Sequence, residues 1–146
     1  MFDKDRMMGR IEELLQKPFW VVDILSEQVK SDSPGQYFEV EKYYLESKEL
    51  RRKQLNVLLR LNCYFDFCVW IDSEPVKNPS PNKLKELVGK THLNIEVGNG
   101  LLVVDPADTH MTMYNAEGKL MEMVKQLATA EGLFIWRPGM NESKHM

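Results

Sequence analysis

The run Cys63-Tyr64-Phe65-Asp66-Phe67-Cys68-Val69-Trp70-Ile71 decides the fold class. It is rich in aromatic and β-branched residues and has no glycine or proline, so it reads as a β-strand. Alternation puts Phe65, Phe67, Val69 and Ile71 on one face and Tyr64, Asp66, Cys68 and Trp70 on the other. Both faces are apolar enough to be at least partly covered, which describes a central strand. A helical stretch stands directly before it. Gln36–Leu61 holds no glycine or proline, and Val40, Tyr43, Ser47, Leu50, Gln54, Val57 and Leu61 lie on one stripe at three- and four-residue steps. One long helix is expected there, or two with a kink near Ser47.

Further out, the same reading alternates helix and strand. Asp5–Gln16 is a short amphipathic helix ended by Lys17-Pro18. Phe19–Leu25 is a strand, and Ser26–Gly35 is a polar loop. Asp72–Asn82 carries three prolines and reads as a loop, from which Ser80-Pro81 starts a helix that stops at Gly89. His92–Val97 and Leu101–Asp105 flank Gly98-Asn99-Gly100, a hairpin signal. Thr109–Tyr114 is a strand, Asn115 caps a helix over Ala116–Ala130, and Leu133–Trp136 is the last strand. Without the first helix and the short insertion, a β-α-β-β-β-α-β core remains. The expected fold is therefore α+β: a ferredoxin-like, mainly antiparallel sheet with helices on one face and an extra N-terminal helix. Residues 1–139 form a single domain, and Met140–Met146 is a flexible tail.

Composition excludes several classes. The chain has 146 residues, 43% hydrophobic and 28% charged, which is ordinary for one globular domain. The formal net charge of −3, from 19 basic and 22 acidic residues, argues against general affinity for nucleic acid. Arg51-Arg52-Lys53 is a basic run on the long helix, with Glu46 and Glu49 at helical spacing to neutralise it. The first ten residues carry five charges and are no secretory signal, and no run reaches the length of a membrane span. Cys63 and Cys68 sit at an odd offset on one strand, so they point to opposite faces. They should neither bridge nor share a metal. A cytosolic protein with free thiols, no metal and no cofactor is expected.

Asp66 and Asp23 are the strongest chemical candidates, because aspartate is depleted in mid-strand positions. An apolar setting would raise their pKa and suit them to acid–base work. If their strands are neighbours they form a carboxylate pair. His110 shares a strand face with Thr112 and Tyr114, so Asp23, Asp66, His110 and Tyr114 are expected to line any small-molecule pocket. The competing reading of each is a structural hydrogen bond. Phe19, Trp20, Tyr37, Phe38 and Tyr44 form a second group, joined by Tyr43. These are more aromatics than one buried stripe can hold, and an exposed surplus marks an interface.

Two stretches, Pro18-Phe19-Trp20-Val21-Val22-Asp23-Ile24-Leu25 and Ala130-Glu131-Gly132-Leu133-Phe134-Ile135-Trp136, resemble small bacterial proteins that have no assigned function. The resemblance covers most of the chain. It implies a bacterial cytosolic setting and carries no activity or site residue with it. The leading expectation is a noncatalytic domain that binds a protein partner or a copy of itself through the aromatic group. The alternative is a small-molecule-binding protein or enzyme with the four-residue pocket.

Overall fold

The computed structural model describes residues 4–138. The elements follow the order α1 (Lys4–Leu14), β1 (Phe19–Asp23), α2 (Tyr37–Glu46), α3 (Lys48–Asn62), β2 (Phe67–Ile71), β3 (Glu74–Lys77), α4 (Pro81–Leu87), β4 (Leu93–Val97), β5 (Gly100–Val104), β6 (Met111–Tyr114), α5 (Gly118–Ala130) and β7 (Phe134–Trp136). The strands make one antiparallel sheet in the order β3-β2-β4-β5-β6-β1-β7.

Period-two alternation in the strands divides the core into two layers. One face presents Phe67, Val69, Ile95, Val97, Leu102, Val104, Met111, Met113 and Val22. These pack against Val57, Leu58 and Leu61 of α3, Leu84 and Leu87 of α4, and Leu120, Val124 and Ala128 of α5. The opposite face is smaller. There Trp70 and Leu101 meet Ile11 and Leu14 of α1. The α+β class therefore holds, but helices lie on both faces, because the second face of β2 and β5 is apolar too.

The ferredoxin-like core is corrected in strand number and order. Between α3 and α5 the chain makes five strands, one more than the four segments read as strands there. The extra one comes from Asp72–Asn82, expected as loop. Asp72 and Ser73 both take left-handed φ, 49° and 66°, and close a two-residue turn between the paired Ile71 and Glu74. That is the backbone pattern of a tight hairpin. The resulting strand β3 tolerates Pro75 because it is a sheet edge.

Two boundaries moved. The strand expected from Cys63 starts only at Phe67, since α3 continues to Asn62 and Cys63 caps it. The long helical stretch takes the second of its two expected forms, two helices broken at Ser47. Ser47 is extended (φ −87°, ψ 134°), ends α2, and its hydroxyl accepts the Glu49 N–H to start α3. Asn115 does not cap α5. It sits at φ 58° and donates its side-chain amide to the Asn99 carbonyl, and α5 starts after Glu117. Other signals read as expected. Ser80 caps α4 with Pro81 at its first position, Gly89 (φ 86°) stops it, and Gly98 (φ 56°) turns the β4–β5 hairpin. Among the described residues no helix is long and apolar enough to cross a membrane. Both cysteines are free. The expected tail at Met140–Met146 lies outside the described residues.

Candidate functional site

The most unusual element is α2. It contains no buried residue. Tyr37, Glu41, Tyr44 and Leu45 form a half-buried inner stripe, and the helix packs against α3. Outside that stripe Phe38 is 77% exposed and Tyr43 is 68% exposed. Each exposed ring meets a half-buried tyrosine edge-on: Phe38 on Tyr37 and Tyr43 on Tyr44, both at 5.4 Å between centroids. Edge-to-face is a favoured geometry for aromatic pairs. Beside the start of α2 lies an open cleft of about 790 Å³, bounded by the loop from Gln28 to Gly35, by Tyr37 and Phe38, and by Trp136 and Arg137. Trp136 is anchored through its indole N–H to the Leu25 carbonyl.

A second concentration of chemistry runs along one end of the sheet. The β4 start, β5 end, β6 start and β1 end are neighbours there, and they place His92, Asp105, His110 and Asp23 in that order. His92 Nδ1 lies 2.6 Å from Asp105 Oδ2, and the other Asp105 oxygen accepts the Ala107 N–H at 2.8 Å. The Ala107 bond, then the His92 bond, hold the Asp105 carboxyl below its usual range. Asp23 is buried, and desolvation outweighs the Ile24 N–H, the charge of His110, the Leu25 N–H and the Thr109 hydroxyl, so its pKa is raised. His110 Nε2 stands 4.0 Å from Asp108.

Helix α3 braces this rim from behind. Arg51 donates to the Pro106 carbonyl at 2.8 Å and to Gln54 Oε1 at 2.9 Å, and the buried Gln54 amide reaches the Thr109 carbonyl. Tyr37 joins the rim to α2. Its hydroxyl donates to Glu41 at 2.7 Å. Burial, Glu41 and the charges of Asp23 and Asp108 push it up to about 12.

The expected pocket residues do not all meet. Asp23 and His110 lie at one end of adjacent strands. Tyr114 pairs across from Phe19, about 13 Å along the strand from Asp23. Asp66 precedes β2, four strand spacings from β1, or roughly 19 Å away. It is exposed rather than mid-strand, and it accepts from the Asn78 amide. No carboxylate pair forms between Asp23 and Asp66. The aromatic group also divides. Tyr37, Phe38 and Tyr44 stay together on α2. Phe19 stacks on Tyr114 at 5.1 Å, while Trp20 faces the other side of the sheet under Lys125 and Arg137. Among the described residues no three His, Cys, Asp or Glu side chains converge as metal ligands.

From the sequence alone Asp105 and Gln54 carry no site role, Arg51 stands only in the basic run, and His92 is a weaker candidate than His110. A signal for His92 and Asp105 was present: they are equidistant from the two-residue turn Gly98-Asn99, so that turn sets them side by side. Comparison with protein-family models, with curated proteins and with solved structures returned no match.

Proposed function

We propose that this protein is a noncatalytic binding domain that docks another protein chain, or a second copy of itself, on α2 and the adjoining cleft. The supporting observation is the helix without a buried residue, with Phe38 and Tyr43 held out in water. Aromatic rings left in solvent cost the free energy that a partner recovers by covering them, and such rings dominate binding energy at interfaces. Phe19, Trp20, Tyr37 and Tyr44 contribute less exposed area, so Phe38 is the expected anchor. The same reading sets the protein in a reducing cytosol, where Cys63 and Cys68 stay as thiols.

Light scattering across a dilution series, on the native chain and on Phe38→Ser with Tyr43→Ser, tests this reading. A dimer that weakens in the variant supports self-association. If the native chain is monomeric, a photo-crosslinker at position 38 should capture one saturable partner in the cell. A monomer with no saturable crosslink sinks the proposal.

A second reading rests on Asp23. A buried carboxyl with a raised pKa beside a histidine is a proton-transfer couple in chemical terms. It would serve a small-molecule site at the Asp23 and His110 end of the rim, without Asp66 and Tyr114.

A further inference from the structure

A different cleft, of about 590 Å³, opens between the α2–α3 junction and the end of α4. Its volume falls in the range of small-ligand sites. Five cationic side chains line it, Lys48, Arg51, Arg52, Lys85 and Lys90, against one carboxylate, Glu46. The whole chain carries 19 basic and 22 acidic residues, so this concentration reverses the overall balance. The floor is apolar: Leu45 and Leu55 are half-buried and Val88 is buried.

One cation is held in place before any ligand arrives. Arg51 is pinned by the Pro106 carbonyl and Gln54, and its stem lies over Gly89. A Cβ at Gly89 would stand 2.9 Å from the Arg51 side-chain carbons, so glycine is what lets that stem pass. Burial lowers the Arg51 pKa, and the charges of Asp108 and Asp105, which do not line the cleft, partly raise it. Arg52 shares its charge with Glu49 at 2.6 Å. Lys48, Lys85 and Lys90 are exposed around the opening.

We infer that this cleft binds a small phosphorylated molecule with an apolar body. A phosphate monoester carries up to two charges and three acceptor oxygens, which matches several separate cations better than a single carboxylate does. The apolar floor then takes the rest of the ligand, which inorganic phosphate lacks. Of α2 only Leu45 and Glu46 line the cleft, at the end of the helix away from Phe38.

Phenyl phosphate is the probe, titrated into the full chain at low salt and followed by backbone amide NMR shifts. Saturable shifts confined to residues 45–55 and 85–90 are expected. Lys48→Glu and Lys90→Glu change exposed side chains, so both should fold, and each should weaken binding by roughly tenfold. Sedimentation with phosphatidic acid vesicles separates the two sources of such a phosphate. Co-sedimentation lost in both variants assigns it to a lipid headgroup, and phenyl phosphate binding without co-sedimentation assigns it to a soluble ester. Three results would overturn the inference: no saturable shift, equal binding of phenol or inorganic phosphate, or binding indifferent to both charge reversals.

Discussion

Asp23 shows how one buried side chain ties stability to pH. Burial is the largest influence on its pKa and raises it above the ordinary 3.8. A carboxyl whose folded pKa is raised favours the folded state most when protonated. Its contribution is complete below the unfolded value and is lost as pH rises through the folded one. The charged form is therefore a burden that the Ile24 N–H, the charge of His110, the Leu25 N–H and the Thr109 hydroxyl only partly offset. Asp23→Asn keeps an oxygen acceptor for the Ile24 N–H and the Thr109 hydroxyl, which share Oδ1, and removes the charge. Thermal unfolding should show it melting about 3 °C above the native chain at pH 8, with the gap closing toward pH 4. A lower midpoint at pH 8 would show that the carboxylate is the preferred form in this site.

At the scale of the element, the junction between α2 and α3 is the informative one. Ser47 ends one helix and caps the next through the Glu49 N–H at 3.1 Å. Ser47→Ala should cost about 1 kcal/mol in denaturant unfolding. Amide exchange should quicken in α2 more than in α3, because α3 is also held by buried Leu50, Val57, Leu58 and Leu61. Elements of this kind were largely legible in the sequence. Ser47, Ser80-Pro81, Gly89 and Gly98-Asn99-Gly100 are local signals with local causes. The unreadable ones depended on distant partners. Asp72-Ser73 lacks the Asn-Gly or Asp-Gly composition that announces a left-handed turn, and β3 exists because β2 offers it an edge. Asn115 looked like a helix cap, yet its side chain bonds across the sheet end to Asn99. Asp66 looked mid-strand because nothing in Cys63-Tyr64-Phe65-Asp66 reports where α3 stops. Of the candidate sites, surplus aromatics on α2 could be counted in the chain. The cationic cleft could not, since it draws Lys85 and Lys90 from a second helix region thirty-odd residues beyond Arg51 and Arg52.

At the scale of the whole molecule, the sheet is covered unequally. Among the described residues three helices seal one face, while α1 covers the β2 and β5 part of the other, through Ile11 and Leu14 on Trp70 and Leu101. Leu101 is fully buried in that thinner layer, and Leu101→Ala should cost about 2–4 kcal/mol. Loosening α1 would also change the surroundings of Trp70, whose indole N–H donates to Glu96. Its fluorescence should therefore shift before the global transition. A single coincident transition would mean that α1 and the sheet unfold as one unit. The pairing of β1 carries a different consequence, for the order in which the chain is made. Phe19 pairs with Tyr114, and Asp23 with Phe134, so the first strand meets its partners only after roughly ninety further residues have been synthesised. At a ribosome's pace of about 5–20 residues per second, that is roughly five to twenty seconds. Throughout that interval Phe19-Trp20-Val21-Val22 leaves the exit tunnel as an apolar strand with no sheet to join. It is the segment a nascent-chain chaperone should hold.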